Sequence, residues 1–194
     1  EQMMRKYNRE KAIVFNTLQM YRWDRMDYLK KLNQKAEQEG FKIGIKVVRG
    51  AYMEKENERA AEKGYQTPIC ANKAETDDNF NTAVAYMVQH IMTISMFVGT
   101  HNEHSTYRMM QLMRENKINN SDPRIWFGQL YGMSDHISYN LAAHGYNVAK
   151  YLPFGPVRDV MPYLIRRAEE NTSVAGQTSR ELALLKRERK RRKI

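Results

Sequence analysis

Short apolar runs recur along the chain, and most of them are followed by a segment with helical spacing. Ala12-Ile13-Val14-Phe15-Asn16-Thr17-Leu18-Gln19 reads as a buried strand after a polar helix over Glu1 to Tyr7. Arg25 to Glu39 carries Met26, Leu29 and Leu32 on one stripe, and Gly40 ends it. Phe41 to Val48 is a second strand. A helix over about Glu54 to Lys63 closes at Gly64, and another runs from Asp77 to His90. Ile94 to Thr100 is a third strand, and the helix after it, Ser105 to Asn116, clusters Met109, Leu112 and Met113. Ile125 to Leu130 is the fourth strand, followed by a helix over Ser134 to His144. Val148 to Leu152 is the fifth, followed by a helix over Val157 to Asn171. Five short apolar strands, each followed by a helix, imply an α/β fold: a parallel sheet with helices outside. A closed eightfold barrel and an open doubly wound sheet both satisfy this pattern. In either, the chemistry belongs at the carboxyl ends of the strands.

Composition narrows the picture. With 194 residues the chain can bury one substantial core, and its 42% hydrophobic content is ordinary for a globular protein. Its apolar runs fall far short of the roughly 20 residues of a membrane span. Position 1 is Glu, and no charged-then-apolar leader follows, so no signal peptide is expected. The abrupt start inside a helix suggests a trimmed chain or a fragment. Cys70 stands alone, which excludes an intramolecular disulfide and leaves no Cys-based zinc site or activated nucleophile in view. No metal is expected. The formal charge is +10, of which +6 falls between Arg180 and Ile194. That tail lacks interleaved aromatics for base stacking, so no nucleic-acid partner is expected. A solvated helix end and adhesion to an anionic membrane both remain open for it.

The candidate chemistry sits in two places. Tyr163-Leu164-Ile165-Arg166-Arg167-Ala168-Glu169-Glu170-Asn171 puts two adjacent arginines on a helix, with Tyr163 one turn before and Glu170 one turn after. Neighbouring guanidiniums repel, and a shared carboxylate or phosphate offsets that repulsion through two planar donor forks. An exposed helix with ordinary ion pairs is the plainer reading of the same string. The strand ends supply the second set: Gln19 and Tyr21; Lys46 and Arg49-Gly50-Ala51-Tyr52; Thr100-His101-Asn102-Glu103; Gln129-Leu130-Tyr131-Gly132; Tyr151 and Pro153-Phe154-Gly155-Pro156. Donors and aromatics thus recur where a parallel fold brings them together. Gly50-Ala51 either makes a tight turn or lets backbone N–H groups approach a ligand. The dinucleotide, Walker and nucleophile-elbow signatures are absent.

In order and setting these motifs resemble the proline dehydrogenase family. Lys46-Val47-Val48-Arg49-Gly50-Ala51-Tyr52, Thr100-His101-Asn102, Phe127-Gly128-Gln129-Leu130-Tyr131-Gly132-Met133, Lys150-Tyr151-Leu152-Pro153-Phe154-Gly155-Pro156 and the arginine string carry the likeness, over about residues 1–185. The resemblance implies a distorted parallel (β/α)8 TIM-like barrel, of which this chain holds the later five strands. It places the end of the catalytic part near residue 175 and leaves 176–194 as a basic helical or disordered tail. It implies FAD as cofactor, L-proline as substrate, Δ1-pyrroline-5-carboxylate as product and a membrane quinone as electron acceptor. By position, Gln19, Lys46, Arg49, Gly50, Ala51, Lys73, Thr76, Thr100 and His101 match cofactor contacts. Lys46 stands where the family often has Arg. Arg166 and Arg167 match the pair that holds the substrate carboxylate, steadied by Glu170. Tyr52, Leu130, Tyr151 and Tyr163 match the walls around the ring, and the bulk of Tyr151 favours proline over hydroxyproline. A mitochondrial home is implied for a eukaryotic source, and the inner-membrane surface for a bacterial one. Because the family barrel begins with strands upstream of those matched, the expectation is an incomplete barrel of weak activity. An open sheet edge would invite self-association, and a non-catalytic fragment is the alternative.

Overall fold

The computed structural model describes the backbone of residues 1–173 and 175–193 and the side chains of residues 1–166 and 182–193. Five parallel strands form one sheet: β1 (Phe15–Gln19), β2 (Ile43–Val48), β3 (Ile94–Gly99), β4 (Ile125–Leu130) and β5 (Val148–Tyr151). Their spatial order is their sequence order. Every crossover therefore steps in the same direction, and right-handed crossovers then place their helices on one face. That is barrel-type winding. A doubly wound sheet reverses its strand order, which this one does not.

The strands alternate between two faces. Ile43, Ile45 and Val47 of β2, Ile94, Met96 and Val98 of β3, and Ile125 and Phe127 of β4 are fully buried against the helices. Their partners come from α2 (Arg25–Glu39), α4 (Lys73–Gln89), α5 (Glu103–Glu115) and α6 (Asp135–Ala143). Leu29 and Leu32, then Phe80 and Met87, then Met109 and Met113, then Leu141 supply the facing layer. The intervening residues, Gly44, Lys46 and Val48, Ser95, Phe97 and Gly99, Trp126, Gly128 and Leu130, point to the opposite, concave face. The period of two thus separates a dry core from a face mixing polar, aromatic and glycine positions. β1 and β5 are the outer strands, each with one unpaired side.

Helix ends follow local chemistry. Gly40 and Gly64 close α2 and α3 (Met53–Lys63) in the left-handed conformation, at φ of 69° and 68°. α4 begins at Lys73 rather than at the expected Asp77, because Asn72 caps it. The Asn72 side chain accepts from the Glu75 amide at 2.9 Å, and the Glu75 carboxylate accepts from the Ala71 amide at 2.9 Å. That first turn is polar, so hydrophobic spacing could not reveal it. Asn102 likewise starts α5 two residues early, accepting from the Ser105 amide at 3.0 Å. α1 (Gln2–Tyr7) precedes β1, and α7 (Val157–Ser173) runs through Pro162. The basic tail is a helix, α8 (Ala175–Arg192).

Candidate active site

A cleft of about 950 Å³ opens on the concave face at the carboxyl ends of the strands. Gln19, Lys46, Arg49, Gly50, Ala51, Tyr52, Lys73, Thr100, His101, Leu130, Tyr151, Tyr163 and Arg166 all reach its wall. Thr76 does not. It is buried in the first turns of α4, and its hydroxyl donates to the Asn72 carbonyl at 3.3 Å. The side chains of Arg167 and Glu170 lie outside the described residues. Gln129 also reaches the cleft wall but is almost fully buried, and its side-chain amide donates to the Thr100 carbonyl and accepts from the Ser138 hydroxyl. Tyr131 is exposed and is not on the cleft wall.

Aromatic faces and cations make up one end of the cleft. The Arg166 guanidinium lies over the rings of Tyr52 and Tyr163, at 5.4 and 6.0 Å. Tyr163 meets Tyr151 edge to face, with ring centroids 5.6 Å apart. Arg166 Nε is buried and has no hydrogen-bond partner among the described residues. A buried donor without an acceptor carries a desolvation penalty that a bound carboxylate would remove. The Lys46 ammonium lies over the rings of Phe97 and Tyr151 and has no carboxylate partner among the described residues.

At the other end the charges are compensated. The Arg49 fork donates to the Asp77 carboxylate at 2.6 Å and to the hydroxyls of Thr100 and Ser105 at 2.9 Å each. Its guanidinium also lies 4.5 Å from the centre of the Phe80 ring. Lys73 pairs with the same Asp77 at 2.5 Å. Burial pushes the Asp77 carboxyl up, but hydrogen bonds from Lys73 and Arg49 outweigh it, so its pKa lies below the usual value. One polar knot thus joins the end of β2 to α4, to the end of β3 and to α5. His101 Nδ1 sits 2.8 Å from the Ser134 hydroxyl, and His136 Nε2 sits 2.9 Å from the Glu103 carboxylate. No group of three or more metal-ligating side chains occurs among the described residues.

The cleft has unsatisfied polar groups and a low floor that suit a bound cofactor. Gln19 Oε1 is buried with no donor among the described residues. Gly50 adopts φ of 145°, and a Cβ there would fall 2.0 Å from the Tyr21 ring, so only glycine allows the backbone this course. Gly99 and Gly128 keep the floor low. Sequence spacing alone had missed Phe97, Gly99 and Gly128, and also His136. Phe97, Gly99 and Gly128 alternate with the core members of β3 and β4, and only the register of the two strands brings them together on the cleft floor.

A parallel arc wound in one direction, with polar groups gathered at its carboxyl edge, is the architecture of a (β/α)-barrel enzyme. The family profile for proline dehydrogenase matches residues 1–180, and the chain belongs to that family. It is 41% identical over 194 residues to proline dehydrogenase 1, mitochondrial, of Dictyostelium discoideum, covering 96% of this chain and 34% of that protein. Against the Homo sapiens protein of the same name it is 41% identical over 187 residues, covering 95% and 31%. It is also 39% identical over 194 residues to hydroxyproline dehydrogenase of Xenopus laevis, covering 98% and 42%. Among solved structures it superposes on proline utilization A from Bdellovibrio bacteriovorus, inactivated by N-propargylglycine. The TM-score is 0.76 at 30% identity, over 80% of this chain and 16% of that one. The chain therefore spans less than half the length of the curated relatives named here, and the sheet is an arc of the TIM-like barrel.

Proposed function

We propose that this chain supplies the substrate end and most of the flavin contacts of an L-proline oxidase that yields Δ1-pyrroline-5-carboxylate. The observation that carries this reading is Arg166 set among Tyr52, Tyr151 and Tyr163, with its Nε unsatisfied. Proline is an apolar ring with one anionic end, and this corner offers aromatic walls with one guanidinium whose Nε has no partner among the described residues. Arg166 holds the carboxylate, with Arg167 as its neighbour in sequence. The tyrosines and Leu130 exclude water from the ring and fix its face toward the cleft floor. In the reaction the C5–H and N–H bonds of proline break and a C=N bond forms; the proton leaves the amine and a hydride leaves C5. FAD, when bound, supplies the hydride acceptor and passes two electrons to a quinone. Gln19, Gly50, Ala51, Thr100 and His101 are the groups we assign to holding it, with Lys73 toward its phosphates. Arg49 acts beside them through the knot it anchors. Lys46 contributes positive charge at the floor, which favours an anionic reduced cofactor.

The preference for proline over hydroxyproline rests on the likeness to the family, in which a bulky residue at the Tyr151 position crowds the ring carbon that carries the hydroxyl; here Tyr151 packs edge to face on Tyr163. Among the described residues no strand closes the concave face from the opposite side, so the 194 residues alone are expected to hold FAD loosely and turn over slowly. The open edges of β1 and β5 favour self-association, measurable by light scattering. The relatives named mitochondrial support a mitochondrial site for a eukaryotic source. Among the described residues no helix is long and apolar enough to cross a membrane, so contact with a quinone pool is assigned to the surface, through α8. The test compares L-proline and 4-hydroxyproline as reductants of an artificial acceptor in the presence of FAD. Faster turnover of proline, lost in Arg166→Ala, supports the assignment. Equal or faster turnover of hydroxyproline refutes the substrate assignment, and activity that survives Arg166→Ala refutes the role of that arginine.

A further inference from the structure

The Lys46 side chain leaves the middle of β2 and runs across the concave face toward β5. Its ammonium ends 5.7 Å from the centre of the Phe97 ring on β3 and 5.6 Å from that of Tyr151 on β5. Two glycines shape its surroundings: Gly99 lies beside the stem, and Gly128 makes room for the Phe97 ring. A Cβ on Gly99 would lie 3.6 Å from Lys46 Cε and 2.9 Å from a Val48 methyl. A Cβ on Gly128 would lie 1.9 Å from Cε1 of Phe97, so the ring can occupy its position only because β4 carries no side chain there. Lys46 has no carboxylate partner among the described residues, and the acids that serve the cleft's other cations are engaged there: Asp77 by Arg49 and Lys73, Glu103 by His136.

We infer that Phe97, seated over Gly128, is a positioning residue that holds the Lys46 ammonium at the centre of the cleft by cation–π contact. The choice of partner matters. A carboxylate would fix a lysine equally well but would cancel its charge. An aromatic face attracts the cation through its quadrupole and leaves the full charge available to a ligand. The pair of rings also substitutes geometry for the rigid fork of an arginine, because a lysine stem is flexible and an ammonium has no preferred plane. Tyr151 thereby serves two groups, Tyr163 at its edge and Lys46 near its ring. A shift at Lys46 would then be felt at the wall of the substrate corner. The purpose given to the clamp rests on the cleft being the anion and flavin site proposed above. The clamp itself is a matter of geometry and can be tested without flavin.

The test is NMR of the full chain, reductively methylated with isotope-labelled formaldehyde, with the Lys46 signal assigned by its loss in Lys46→Arg. An ammonium held over two ring faces has a ring-current-shifted resonance. In Phe97→Leu, an apolar change on the open face rather than in the core, the Lys46 signal is expected to move toward that of the exposed lysines. Phe97→Tyr is expected to keep it in place. Gly128→Ala is expected to displace it as well, by pushing the ring, and this gives a second route should Phe97→Leu fold poorly. A second readout is the dissociation constant for added FAD, expected to weaken by roughly two- to fivefold in Phe97→Leu from the loss of one cation–π face. An unmoved Lys46 resonance in both Phe97→Leu and Gly128→Ala overturns the clamp and leaves the flavin assignment standing. A moved resonance together with an unchanged FAD dissociation constant keeps the clamp and overturns its proposed purpose.

Discussion

Arg49→Ala is the perturbation whose cost the structure defines best. The guanidinium ties four elements together through one carboxylate, two hydroxyls and one aromatic face. Its side chain is 22% exposed and that of Asp77 26%, so the pair is partly screened and the full cost of breaking a buried ion pair does not apply. A charged hydrogen bond contributes about 1.5–3 kcal/mol, and the hydroxyl bonds and the ring contact each contribute a smaller amount. Lys73 stays on Asp77 and recovers part of the loss. The expected destabilisation is about 2–4 kcal/mol at neutral pH, read as the shift of a urea unfolding midpoint followed by circular dichroism. The pH dependence has a definite sign. The Asp77 pKa is depressed in the fold, so its contribution is present above the unfolded value and is lost as pH falls through the folded value. Arg49→Ala removes one of the two cations responsible, so the gap between the two proteins should narrow below about pH 4. Arg49→Lys keeps the charge but not the fork, and should fall between them. An unchanged midpoint in Arg49→Ala, or a gap that widens on acidification, would refute the reasoning.

Three further perturbations follow from other parts of the fold. Asn72→Ala removes the cap of α4 and should cost about 1 kcal/mol in the same unfolding assay, with no change at α5 by amide exchange. Gly50→Ala forces a Cβ into the Tyr21 ring at a backbone angle that glycine tolerates best. A loss of about 1–3 kcal/mol is expected from the backbone alone, with weaker FAD uptake by fluorescence quenching. Removing residues 182–193 deletes the basic end of α8, where Glu188 already holds Arg191 and Arg192. Retention on anionic vesicles should fall by about 1 kcal/mol for each remaining basic side chain near the surface, and salt should erase the difference.

The sequence exposed the sheet because five apolar runs alternated with helical spacing, and Ile125–Leu130 was placed to the residue. Its limits were equally physical. The starts of α4 and α5 are polar turns held by Asn72 and Asn102, and apolar spacing is blind to such turns. The choice between barrel and doubly wound sheet depended on strand order, which no local pattern carries. For the site, residues at strand ends were legible because the parallel fold predicts their meeting. Phe97 and Gly128 were not, because each looks like ordinary strand content until β3 and β4 are set in register. Arg49 reads from the sequence as a strand-end donor in the cofactor set. The structure places it on the cleft wall and adds what spacing could not show: its fork is engaged by Asp77, Thr100 and Ser105, partners 28 to 56 residues away in sequence.

The central claim is that the cleft on the concave face brings proline and flavin together, with Arg166 holding the acid group. The most direct measurement is an anaerobic visible spectrum of the FAD-loaded protein as L-proline is added. The expected result is slow, saturable bleaching of the flavin band by L-proline, absent in Arg166→Ala protein that still binds FAD. Flavin that binds and stays oxidised at saturating proline, or bleaching that is unaffected by loss of Arg166, would contradict it.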